Sequence, residues 1–111
     1  MKKIIFAAIC CFVVLHVSAQ HLTSYKNESG LNGFKDQSGT IVIEPIYSES
    51  KNFSEGLAAV NVDHKWGFID AMGKLVIPFT YDSVSDFKNG KAKAMIGNRT
   101  FYIDKAGKPL K

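Results

Sequence analysis

The sequence predicts an all-β protein: short antiparallel hairpins, three strands to a unit, repeated every 34 residues as a small twisted array. Three observations carry this expectation. The chain repeats itself without a gap. "NGFKDQSGTIVIEPIYSESKNFSEGLAAV" from Asn32 lies over "WGFIDAMGKLVIPFTYDSVSDFKNGKAKA" from Trp66, and "TFYIDKAGKPL" from Thr100 keeps the register. Phe34, Phe68 and Tyr102 align, as do Tyr47 with Tyr81, Phe53 with Phe87 and Gly56 with Gly90, each at an offset of 34, a spacing typical of repeat architectures. Second, the apolar residues alternate. In "GKAKAMI", Ala92, Ala94 and Ile96 share a face against Lys91 and Lys93, and in "GLAAVNV" the matching set is Ala58, Val60 and Val62. A period of two is that of a strand. Third, each unit holds several glycines and a proline, which would break the helices of a tetratricopeptide-like repeat of the same length.

Taken in order, residues 1–19 have the zones of a secretory signal peptide. Lys2 and Lys3 lead, Ile4 to Val17 are almost wholly apolar, and Val17-Ser18-Ala19 offers small residues for cleavage near Ala19. The apolar run is shorter than the roughly 20 residues that span a bilayer and contains His16. Cys10 and Cys11 lie inside that run rather than behind a lipoprotein-type small residue, and cleavage removes both. The exported chain then lacks disulfides, thiolate nucleophiles and cysteine metal sites. It carries 12 Lys/Arg against 10 Asp/Glu, a net +2 rather than the +4 of the whole chain. So small and scattered an excess gives no clustered neutralisation of phosphates, and nucleic acid is not an expected partner. Nor is a membrane span expected after cleavage.

Residues 20–30, "QHLTSYKNESG", read as a polar lead-in or linker. The β domain follows over 31–111, in units of about 32–65 and 66–99 and a partial one at 100–111. Within a unit, a strand near Trp66–Asp70 turns at Gly73 into "KLVIPF", with Pro78 at a strand end or edge. "TYDSVSDF" is expected to be a loop or a single helical turn. "NGKAKAMI" is the third strand, and "GNRT", or "VDHK" one period earlier, turns it back. The phrase D-x-x-G recurs as Asp36/Gly39, Asp70/Gly73 and Asp104/Gly107. Asp at the first turn position accepts bonds from amides ahead of it, and Gly three residues on supplies the positive φ that closes a bulged hairpin. These are structural corners, not catalytic carboxylates.

The run "HKWGFIDAMGKLVIPFTYDSVSDFKNGKAKA" resembles the WG, or KWG, repeat family. Lys65, Trp66, Gly67, Phe68, Ile69, Asp70, Gly73, Lys74, Pro78, Tyr81, Asp82, Phe87, Gly90 and Ala92 all fit its pattern, and the resemblance covers roughly residues 31–111. Asn32 and Thr100 stand in place of the signature Trp, Phe101 in place of the Gly, and Lys35 in place of the Ile; terminal repeats commonly depart because they cap an array. The resemblance implies an all-β, often exported bacterial repeat protein used for binding or scaffolding, and implies no reaction.

The remaining constellations are weak. His21 and His64 are far apart and lack ligands at metal spacing. Asp82 and Asp86 bracket "SVS", but the matching positions are Ser48 and Asn52, and no calcium-loop pattern surrounds them. There is no G-x-S-x-G elbow, phosphate-cradling loop or dinucleotide fingerprint, so neither catalytic residues nor a cofactor or metal site is expected. The expected role is a non-enzymatic interaction or scaffold module, periplasmic or secreted. It would bind a protein partner or self-associate, using strand edges left unpaired in the partial third unit. A second reading is a carbohydrate- or peptidoglycan-binding module in which Trp66, Tyr47 or Tyr81 stacks on a sugar. A hydrolase is the weakest reading, since no nucleophile–base pair can be named.

Overall fold

The computed structural model describes residues 21–111, so the expected signal peptide lies outside the described residues. Ten strands follow one another: β1 (Thr23–Lys26), β2 (Asn32–Lys35), β3 (Ile41–Tyr47), β4 (Glu49–Ser50), β5 (Ala58–Val62), β6 (Lys65–Ile69), β7 (Leu75–Tyr81), β8 (Ser83–Val84), β9 (Lys91–Ile96) and β10 (Arg99–Asp104). They form three sheets, ordered β1-β2-β3, β4-β5-β6-β7 and β10-β9-β8, with every pairing antiparallel.

The sheets are out of phase with the sequence repeat. β5 belongs to one unit of the repeat and β6 to the next, yet they pair along their whole length, from Ala58 opposite Ile69 to Val62 opposite Lys65. Each sheet joins the end of one repeat to the start of the following one. The chain changes sheet at Ser48 and again at Asp82. There the backbone amides donate 2.8 Å hydrogen bonds to Asn61 and Met95 of the sheet being entered.

The D-x-x-G turns behave as expected. Asp36, Asp70 and Asp104 each accept backbone hydrogen bonds of 2.9–3.0 Å through one carboxylate oxygen, from residues two and four ahead. Gly39, Gly73 and Gly107 close the turns at φ of 90°, 85° and 87°.

A different constraint acts on Gly67. Between the pairs Trp66–Tyr81 and Phe68–Ile77 the register shifts, so that Pro78, Phe79 and Thr80 arch over one residue of β6. A Cβ on Gly67 would lie 2.5 Å from the Ile77 carbonyl oxygen and 3.0 Å from the Phe79 nitrogen. The same bulge, through Glu44 to Ile46, crosses Gly33. Bulges twist and bend a strand, and each precedes the point where the chain passes to the next sheet.

Two apolar cores alternate with the three sheets. Leu22, Phe34, Ile43, Tyr47, Ala58, Val60 and Ile69 fill the first. Phe68, Ile77, Tyr81, Phe87, Ala92, Ala94 and Ile103 dominate the second. Phe34 meets Phe53 edge-on at 4.9 Å, and one period later Phe68 meets Phe87 in the same way at 4.8 Å.

Two expectations need correction. The lead-in is not a linker, because Leu22 is buried in the first core and β1 pairs with β2 from Thr23 opposite Lys35 to Lys26 opposite Asn32. "TYDSVSDF" contains no helical turn; it completes β7 and supplies β8, which pairs with β9. In β5, Ala58, Val60 and Val62 share a face as expected, that of the first core, while Ala59 on the opposite face enters the second. With a sheet on either side, both of its faces are interior.

Candidate functional site

The aromatic residues singled out as ligand contacts are largely used by the fold. Tyr47 and Tyr81 are only 5% and 6% exposed, one in each core, and burial raises the pKa of both phenols. Neither ring has an open face, so the expectation that either stacks on a ligand is corrected. Trp66 is half-buried against the second core, with the Lys51 ammonium 5.4 Å from its ring centroid. The structure therefore does not gather Trp66, Tyr47 and Tyr81 into one site. Asp36, Asp70 and Asp104 stand at separate turns, their carboxylates engaged by their own backbone. Among the described residues, no group of three or more His, Cys, Asp or Glu could hold a metal ion. No described helix is long and apolar enough to cross a membrane.

Among the described residues, two surfaces stand out. The first is the outer edge of β3 and β7, each the last strand of its sheet. Ile41, Val42 and Ile46 on β3 and Leu75 and Val76 on β7 are exposed, Ile46 by 60%. Ile41 and Leu75, and Val42 and Val76, are equivalent positions one period apart. Apolar side chains thus recur beside backbone groups that no sheet neighbour pairs.

The second is a concavity of about 880 Å³ at the third sheet, lined in part by Asp86, Lys88, Asn89, Lys91, Lys93 and Tyr102. Glu55 stands at its rim. Its carboxylate accepts hydrogen bonds from the Asn89 and Gly90 amides at 2.6 and 2.9 Å, and the Lys105 ammonium is 3.6 Å away. The Gly90 amide, with those neighbours, lowers the Glu55 pKa. Glu55 has a φ of 54°, an uncommon conformation for its residue type. The two-residue turn closed between Ser54 and Leu57 sets that conformation, and the side chain uses it to reach the next repeat. Asp82 is likewise lowered, first by the Gly97 amide at 2.7 Å and then by the Lys65 ammonium.

Sequence reasoning passed over Glu55, since "FSEG" reads only as a turn. The matching phrase "FKNG" held the signal. Asn89 has a φ of 56°, and Asn-Gly is the usual composition of such a turn, so Glu at the equivalent position is anomalous. It also passed over Asn27, which accepts from the Ser29 and Leu31 amides, both at 2.9 Å. "NESG" is thus a further copy of the D-x-x-G turn, with Asn for Asp.

Three stacked antiparallel sheets, threaded by one repeat and closed by a recurring Asx turn, define an all-β tandem-repeat protein. The chain belongs to the WG containing repeat family, which it matches over residues 33–66 and 66–99, more than half its length. Comparison with curated proteins and comparison with solved structures each gave no match.

Proposed function

We propose that this chain is an exported, non-enzymatic interaction module that docks a partner protein along the outer edge of β3 and β7. The observation that supports this reading is the exposed apolar set Ile41, Val42, Ile46, Leu75 and Val76 on two edge strands. An extended segment of a partner can add to such an edge, with main-chain hydrogen bonds for affinity and side-chain contacts for selectivity. Pro45 and Pro78 interrupt each edge, which limits indiscriminate strand addition and favours a fitted partner. Export rests on the lysine-led apolar start of the chain and its small residues at Val17-Ser18-Ala19.

The test is capture from an envelope extract with wild-type protein and with a Val42→Lys, Val76→Lys variant whose circular dichroism is unchanged. A species retained by the wild type and lost with the variant supports edge docking. Equal retention by both baits sinks it. Concentration-dependent light scattering that the same substitutions abolish would replace the foreign partner with a second copy of this chain.

A further inference from the structure

The outer face of the third sheet is an altered copy of a core face. Leu57, Ala59 and Phe68 enter the second core from the second sheet; one period on, the same positions carry Lys91, Lys93 and Tyr102. A further sheet stacked there in the same way would bury two ammonium groups, at an effective penalty of several kcal/mol each. The face suits water or a polar ligand instead, and it is hollow. A wide, open concavity of about 880 Å³ lies on it.

Its lining is chemically mixed. The Tyr102 ring is 43% exposed, and the Lys91 ammonium lies 5.0 Å from its centroid. Lys88 and Lys93 add positive charge, while Glu55 and Asp86 are the acidic groups facing in. The Glu55 carboxylate is already bound by two amides and by Lys105. Three ammonium groups, one remaining carboxylate, the Asn89 side-chain carboxamide and an amphipathic ring are therefore left to a ligand. Ammonium groups select an anion. The carboxylate of Asp86 disfavours a plain polyanion and suits hydroxyl donors, and an aromatic ring offers a flat apolar surface.

From this juxtaposition we propose that the concavity binds an acidic oligosaccharide. Its carboxylates pair with Lys91 and Lys93, its hydroxyls bond to Asp86 and Asn89, and Tyr102 packs against a sugar ring. This site is separate from the β3–β7 edge.

The experiment is a calorimetric titration of the purified protein, with amide chemical shifts followed in parallel. The ligands are a galacturonic acid trimer, a neutral galactose trimer and triglutamate. The acidic sugar is expected to bind at least about tenfold more tightly than either of the others, to weaken as salt rises, and to shift the Lys91, Lys93 and Tyr102 signals. Tyr102→Ala should weaken it roughly three- to tenfold, and Lys91→Glu with Lys93→Glu should abolish it, both variants keeping wild-type circular dichroism. The Val42→Lys, Val76→Lys variant should bind the sugar normally, so that failure of edge docking and failure of this site read differently. No binding of the acidic sugar, equal binding of triglutamate, or binding indifferent to both concavity variants overturns the proposal.

Discussion

The second and third sheets are built from closely similar sequence, and they differ most where their surroundings differ. In the second sheet Phe68 is fully buried between neighbouring sheets; its counterpart Tyr102 is 43% exposed. Gly67 is crossed by the bulge of β7, whereas Phe101, one period on, meets no crossing strand among the described residues and packs its ring on Tyr81 at 6.2 Å. The first sheet differs at its other face. Ile69 and Ile103 each pack fully buried toward the sheet before them, while the equivalent Lys35 places its ammonium 4.4 Å from the Tyr25 ring centroid. A repeat position here follows what lies above and below it more than its place in the repeat. The departure from the family pattern at Lys35 is a consequence of facing outward, and that at Phe101 of having no bulge above it, so that a ring can pack on the second core.

The widest gap between paired positions should appear at the phenylalanine. Phe68→Ala removes a fully buried ring and should cost about 3–5 kcal/mol, a large share of a small domain's stability. Tyr102→Ala should stay within about 0.5 kcal/mol. Urea unfolding of the two variants decides this, and comparable losses would mean that the third sheet is covered in solution.

A second pair sharpens the role of the bulge. Gly67→Ala drives a Cβ into the Ile77 carbonyl and should cost about 1–3 kcal/mol. Phe101→Ala loses only a partly buried contact, about 1 kcal/mol. Hydrogen exchange at the β6 and β7 amides should quicken in the first variant alone; a Gly67→Ala protein as stable as wild type would remove the bulge as the reason for the glycine.

The smallest effect is electrostatic. Glu55 has a lowered pKa in the folded chain, chiefly through the Gly90 amide, and Asp36, Asp82 and Asp104 are lowered too. A carboxylate depressed by folding favours the folded state above its unfolded value, near 4, and loses that contribution as pH falls through the folded value. Stability should therefore drop on acidification below about pH 4, and less steeply in Glu55→Gln. Unfolding curves at pH 7 and pH 3 test this; identical pH dependence in both proteins would show that the link from Glu55 to Asn89 and Gly90 carries no weight in solution.

Much of the architecture was legible because its signals are local. An Asp or Asn with Gly three residues on makes its turn from its own amides, so Asp70 could be read as a corner before any neighbour was known. The alternation in "GKAKAMI" was legible because one face of β9 meets solvent. In "GLAAVNV" the shared face of Ala58, Val60 and Val62 was legible too, but the pattern is fainter because the opposite face, with Ala59, is also interior. The lead-in misled because its polar residues conceal Leu22, whose burial depends on Phe34 and Ile43 lying beneath it. Of the candidate contacts, Tyr47 and Tyr81 recur whether they serve a core or a ligand, and recurrence alone cannot separate the two uses.

The amino-acid sequence by itself determined the period, the turns, the strand character and the identity of the recurring aromatics, because each depends on side chains acting on their own few residues of backbone. Only the tertiary structure decided which strands share a sheet, why Gly67 must be glycine, what the Glu55 carboxylate binds, and which face of the third sheet carries the concavity. Those features depend on contacts between segments that are separate in the chain, some within one unit, as Gly67 under Ile77 and Phe79, and some a full period apart, as Glu55 with Asn89 and Gly90.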